Sequence, residues 1–528
     1  MSHRALPKYP DIDHLKRQAK ALLRDAKAGD AAALVRMRTL PAFARASADE
    51  LAHASFALHD AQSVVAREYG FPSWKALSQH VEESTLDPDS AVREFVEAAT
   101  DGRTDRAARL LKLYPGIAGA SFHAALILGD SSRIMRWLAE QPRLAHEVGG
   151  PRNWQPLHYV CYNALGHGSI ADSDGLVDIA RRLLELGVDP NTRFPWLHHG
   201  VHRPVLWGAT MVTRSLPLAE ALLQAGADAN DGVTLPLAAS AEDIDALDLL
   251  LAHGADPNQA WASDGSATLY ATLHWSRSRA GILWLLEHGA QPDPVFAENG
   301  ETPLHVVARC WDVQLAEVLV ARGADVSRQR KDGRTPYAIA ELNGNLSVAA
   351  FLLQHGAPAQ LKAVDRLVAA CSRGDCKAAQ ALREENPGLA ALIEPEHYAA
   401  LYQAAERGDT RAVEALLDSG FDPNRGDEEI GKTALHCAAM AGRVDTVRLL
   451  LTRGASPMVR DREFDGTPLV WAAEGARSHG GDDADHVKVG RLLLDAGATT
   501  EWHSGDEPAE ALLETLDSWS RMRPERQP

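Results

Sequence analysis

One five-residue phrase constrains this chain more than any other feature. Short apolar helix endings run into Gly187-Val188-Asp189-Pro190-Asn191. The phrase returns as Gly226-Ala227-Asp228-Ala229-Asn230, Gly254-Ala255-Asp256-Pro257-Asn258 and Gly289-Ala290-Gln291-Pro292-Asp293. Later copies begin at Gly323, Gly356, Gly420, Gly454 and Gly497. Successive glycines stand 39, 28, 35, 34, 33, 64, 34 and 43 residues apart, and 64 is two units of 32. A period near 33 means supersecondary units that cannot bury an apolar face alone and must stack on neighbours. That expectation overrides any count of separate domains drawn from the 528-residue length.

A second phrase follows about ten residues after the first: Thr302-Pro303-Leu304-His305, Thr335-Pro336-Tyr337, Thr433-Ala434-Leu435-His436 and Thr467-Pro468-Leu469. Thr before Pro reads as an N-cap followed by the first helical position, where the missing proline N–H costs nothing. Leu304, Val307 and Ala308 then give an apolar helix face. A second helix follows, as from Val444 to Thr452, and glycine ends it in a left-handed conformation. Asn299-Gly300 and Asp332-Gly333 are turn signals at the tips of fingers.

Together these phrases resemble the ankyrin-repeat family over roughly residues 88 to 501, and the helical lead-in before them, with its Arg67-Glu68-Tyr69-Gly70-Phe71 stretch, looks like the opening of many bacterial members. The resemblance implies an all-α class, an α-solenoid of about twelve repeats with short β-hairpin fingers and a helical N-terminal cap. The expected organisation is 1–86 capping helices, 87–361 a first array, 362–501 a second array and 502–528 a closing helix and tail. Within 1–86, helices are expected over Asp13–Ala28, Ala31–Arg38, Leu58–Tyr69 and Ser73–Glu83. The rhythm of Val92–Arg143 restarts at Asp365, which suggests a bend near 360–364; one continuous array with eroded repeats is the alternative.

A formal net charge of −18 opposes nucleic-acid phosphates and favours partners with basic patches. Five cysteines, Cys161, Cys310, Cys371, Cys376 and Cys437, form no CxxC pair and fit a reducing compartment. Met1–Lys20 lacks the apolar run of a signal peptide, and no stretch reaches the roughly 20 apolar residues of a membrane helix. A cytoplasmic monomer without cofactor or membrane contact is the expectation.

Three motifs bear on chemistry. Gly426-Asp427-Glu428-Glu429-Ile430-Gly431-Lys432-Thr433 satisfies GxxxxGK[ST], yet no buried strand precedes it and three acids would repel a triphosphate. His158, His305 and His436 hold the position that the family resemblance makes structural, tying neighbouring loops. The finger bearing His198, His199 and His202 is a weak metal candidate, with His167, Asp172 and Asp174 in a neighbouring insertion, Ala164–Gly175. A second insertion, Ala476–His486, lacks a calcium-loop spacing.

The resemblance places the variable positions of first helices on a concave groove. In that register the groove carries Tyr159, Tyr162, Trp207, Met211, His274, Trp275, Val306, Arg309, Ile339, Leu342, Cys437, Met440, Trp471 and Glu474, with Trp261, Phe296 and Phe464 near fingertips. Aromatic residues, Met and Arg are what binding hot spots are made of. The expected function is non-catalytic binding of a protein or peptide. The alternative is an enzyme or a small-molecule or metal binder using the elaborated, His-rich repeats around 150–210.

Overall fold

The computed structural model describes residues 4–7, 10–44, 46–195, 202–276, 278–478 and 484–499. The chain divides into two compact units, Met1–Ala238 with Asp243–Asp256, and Ala239–Glu242 with Pro257–Pro528. Residues 508–519 and the basic tail lie outside the described residues.

The first unit opens with helices Ile12–Lys27, Ala31–Met37, Ala48–Ala52, Leu58–Glu68 and Trp74–Ser84. Asp11, Asp30, Ser47 and Ser73 cap four of them through side-chain oxygens. Leu15, Leu22, Met37, Val64, Val65 and Leu77 share one apolar core. The short helix Ala48–Ala52 was not expected; its capping box of Ser47 and Glu50 is the signal for it. The last of these helices docks on the helix Thr104–Leu113, where Arg109 meets the buried Glu83 in a two-pronged ion pair at 2.8 and 2.9 Å.

Helix pairs then stack. In the first unit Pro88–Thr100 packs on Phe122–Leu128, which packs on Pro156–Cys161. Behind that row, Ser131–Glu140, Ser173–Glu185, Leu216–Gln224 and Ile244–Ala252 pack in series. In the second unit Pro303–Cys310, Pro336–Leu342, Ala363–Ser372, Tyr398–Arg407, Ala434–Met440 and Pro468–Ser478 form one row of first helices. Among the described residues, regular strand pairing is confined to one hairpin, Arg193–Pro195 with His202–Pro204, beside single bridges at Gly149–Trp154 and Ala260–Ala267. Among the described residues the remaining fingers are turns, two of them closed by those bridges.

The recurring phrase has a physical reason that its spacing alone does not reveal. Gly226 and Gly289 adopt φ of +97° and +95°, which only glycine reaches without strain. Asp189 accepts the Asn191 amide at 2.9 Å, an Asx turn that aims the asparagine side chain onward. Asn191 then donates to the Gly226 carbonyl at 3.0 Å and accepts the Asp228 amide at 2.8 Å. Asn230 does the same to Gly254 and Asp256, Asn258 to Gly289 and Gln291, and Asn424 to Gly454 and Ser456. These four phrases thus satisfy the backbone of the next, and a break in the asparagines would leave amides to water.

His305 and His436 tie neighbouring repeats in the same manner. In each, Nδ1 accepts the backbone amide of the N-cap threonine, Thr302 or Thr433, at 3.2 and 3.1 Å. That fixes the proton on Nε2, which donates to the Arg334 or Gly466 carbonyl one finger further on, at 3.2 and 3.1 Å. Arg334 itself pairs with the buried Asp365 through two hydrogen bonds at 3.1 and 2.9 Å.

Candidate functional site

The expected groove residues separate into three groups. Tyr159 and Tyr162 are corrections: both are fully buried, at 0% exposure. The Tyr159 hydroxyl donates to the Gly149 carbonyl at 2.9 Å, and Tyr162 donates to the Pro204 carbonyl at 2.8 Å. Fingers on either side of the short helix Pro156–Cys161 fold over these rings, so they fill core instead of facing a guest. Val306, Ile339, Leu342 and Cys437 are buried as well and belong to the packing between first helices.

Trp207, Met211 and Trp471 are half-buried. Trp207 lies 5.7 Å from the Tyr162 ring, with the Arg203 guanidinium over its face at 4.9 Å. Trp471 donates its indole N–H to Asp461 at 2.9 Å and sets its ring edgewise to His436. Each is largely committed to its own finger. His198 and His199 lie outside the described residues, and His202 is exposed on the hairpin edge. Asp172 is spent as the N-cap of Ser173–Glu185. Among the described residues no group of three His, Cys, Asp or Glu side chains could hold a metal ion.

The third group, His274, Trp275 and Arg309, does come together, in the second unit. Thr268–Ala271 is a short α-helical run that widens into a π-turn over Thr272–Ser276. Thr272 and Ser276 each return a hydroxyl hydrogen bond to the carbonyl four residues back, at 2.9 and 2.8 Å, competing with the helical ladder. The Leu273 carbonyl is taken instead by the indole N–H of Trp311 in the next repeat, at 3.2 Å. A widened turn carries one extra residue and re-aims side chains, as at many functional sites. Here it turns Trp275 outward, 54% exposed, with the His274 ring 4.6 Å away.

The His274 ring beside Trp275 is itself held by buried neighbours. Tyr270 is buried, stacks on Phe296 at 4.9 Å with planes 11° apart, and stacks on His274 from its other side at 5.5 Å. Its hydroxyl donates to Glu301 at 3.0 Å. Glu301 is fully buried and also receives Arg309 and Arg330. Burial alone would raise the Glu301 carboxyl, but the two guanidinium groups hold it below the usual carboxylate range. Burial, and then the charge of Arg309, pushes His274 down to about 4, so it is neutral at pH 7. The turn bearing Glu429 and Lys432 is close enough to act electrostatically on Arg309 and His274.

Sequence reasoning missed Glu301 and Arg330. A signal existed: Glu301 and Arg334 hold the same slot before the Thr-Pro pair, 33 residues apart, and charges in a slot facing the next finger invite pairing. The GxxxxGK[ST] loop is closed on itself. Asp427 accepts the amides of Ile430 and Gly431 at 2.9 and 2.7 Å, so those amides point to a carboxylate of their own turn.

No described helix is long and apolar enough to cross a membrane. No curated protein matches the chain. The family model for ankyrin repeats matches in three copies, over residues 270–363, 367–461 and 401–501, and the first copy takes in Tyr270, Trp275, Glu301 and Arg309. The chain therefore contains ankyrin repeats, which are generally protein-interaction modules and typically non-catalytic.

Proposed function

We propose that this protein is a non-catalytic binder that holds a protein or peptide partner on the concave face of its repeats, with Trp275 as the anchor. The observation that carries the reading is the contrast at one spot. A large exposed indole sets its ring against His274, which stacks in turn on a Tyr270 already fixed by Phe296 and Glu301. An exposed aromatic on a pre-organised base loses little entropy on binding, which is how hot spots concentrate energy. Phe464, 58% exposed on a later finger, offers a second aromatic contact. Trp471 adds the face that its own finger leaves open, and in the first unit, taken by itself, Trp207 and Met211 do the same.

The rest of the reading follows from the same features. About twelve repeats run over roughly residues 88 to 501, residues 1–86 cap their start, and 87–361 and 362–501 are the two arrays. The net charge of −18 favours a partner with basic groups over nucleic acid, and a monomer serves this role. The test is Trp275→Ala in the full chain, assayed against partners recovered from the native host. Binding should weaken at least about tenfold, roughly 1.4 kcal/mol, with the folded state unchanged. Unaltered affinity for every partner would reject the anchor.

A further inference from the structure

Neighbouring fingers of the second unit close directly on one another. The Lys331 amide donates to the Asn299 carbonyl at 2.8 Å, and the Arg462 amide to the Ile430 carbonyl at 2.6 Å. In the first unit, by contrast, a cavity of about 450 Å³ stands between the finger 148–155 and the start of the next finger at Thr192 and Arg193. Its size is within the roughly 300 to 1,000 Å³ of small-molecule sites. One wall is fixed. The Tyr159 hydroxyl donates to the Gly149 carbonyl at 2.9 Å and accepts the Arg152 amide at 3.0 Å, which pins the finger from within. The Trp154 ring lies 5.4 Å from Tyr159 and 6.0 Å from Tyr162, so its indole is a preset aromatic face.

Among the described residues two guanidinium groups and no carboxylate line this cavity, in a chain whose net charge is −18. Arg152 is neutralised: it pairs with Asp101 and donates to the Thr100 hydroxyl at 3.2 Å and the Glu97 carbonyl at 3.3 Å. Arg193 is not. Its Nη2 donates to the Asp231 carbonyl at 3.0 Å, and it makes no ion pair among the described residues. The Asp231 carboxyl is turned into its own loop, where it accepts the Val233 and Thr234 amides at 2.7 Å and the Thr234 hydroxyl at 2.6 Å. Gln155 holds the slot that Thr302 and Thr433 hold elsewhere, and its half-buried carboxamide makes no hydrogen bond among the described residues. Burial pushes His158 down to about 4, so its ring adds no charge at pH 7. The cavity therefore offers one uncompensated positive charge, one unengaged carboxamide and an indole face.

We propose that this cavity binds a planar monocarboxylate, a carboxylate joined to an aromatic body, either as a free acid or as the C-terminal residue of a polypeptide. The carboxylate oxygens accept from the Arg193 guanidinium and the Gln155 amide N–H, while the ring lies against Trp154. One unpaired guanidinium balances one negative charge; a dianion would keep a charge unmatched in the cleft, which is costly where water is scarce. The site lies in the first unit and stands or falls apart from the Trp275 reading.

The test is a ligand-detected NMR titration of the full chain with phenylacetate, and with N-acetyl-Gly-Gly-Phe as a polypeptide end. Phenylacetamide and the C-terminal amide of the tripeptide are the uncharged controls. Saturable binding of at least one acid is expected, with neither amide competing. Affinity should fall about tenfold in Arg193→Gln, which removes a charged donor, and about threefold in Gln155→Leu, which removes a neutral one. Arg328→Gln, which removes a cation in the second unit, should leave it unchanged. If Gln155→Leu fails to fold, Arg193→Gln decides, since that side chain is exposed. Tighter binding of the tripeptide points to a polypeptide end, and tighter binding of phenylacetate to a free acid. No saturable binding of either acid, equal binding of the amides, unchanged affinity in the folded variants, or an equal loss in Arg328→Gln overturns the proposal.

Discussion

Acidification should loosen the second unit, and His305 sets a measurable part of the loss. The His305 ring is fully buried, its Nδ1 accepts the Thr302 amide and its Nε2 donates to the Arg334 carbonyl. A second proton on Nδ1 would confront an N–H with an N–H. Burial accordingly pushes His305 down to about 4, against an unfolded value near 6.5. Between those two values the unfolded chain binds the proton and the native chain does not. Stability is therefore present in full above about pH 6.5 and is lost as pH falls towards 4. From pH 7 to pH 5 the linkage amounts to about 2 kcal/mol for this one residue. Native-state hydrogen exchange on the helix Pro303–Cys310, corrected for intrinsic exchange rates, reads the local opening energy. His305→Gln should open more easily at pH 7, yet its further loss on reaching pH 5 should be smaller than the wild type's by about 2 kcal/mol. An identical pH dependence in both proteins would refute the reasoning.

Other predictions follow from the same contacts. Glu301→Gln leaves Arg309 and Arg330 without their buried carboxylate and should cost about 3 kcal/mol in chemical denaturation, since breaking a buried pair strands a charge. Asn258→Ala removes two exposed ties between phrases, to Gly289 and Gln291, and should cost only about 1 kcal/mol in the same assay. Trp275→Ala should cost only about 1 to 2 kcal/mol of stability, because just over half of the indole is in water, while reducing partner affinity.

Much of the repeat structure was legible in the chain because it is written in backbone chemistry. Glycine at positive φ, Thr-Pro at helix starts and Asn after Asp each have a local reason that recurs with the period. The faces of the first helices were less legible. Tyr159 and Tyr162 fit the groove register as well as Trp275 does, but their exposure is decided by fingers whose course depends on neighbouring segments. Trp275 lies in the π-turn Thr272–Ser276, and a like turn at Gly208–Val212 stands 64 residues earlier, but the helical pattern of apolar residues marks neither. Glu301 looked like one more polar turn residue, because Arg330, which buries it, stands 29 positions away.

Replacing Trp275 with a photo-crosslinking phenylalanine analogue, beside the same replacement at Leu353 on the second helix Leu346–Gln354, tests the central claim most directly. Both positions are exposed, so both report on what touches the surface in the native host. The account predicts a discrete partner protein captured from position 275 and not from position 353. Capture from 353 alone, or equal capture from both, would contradict it.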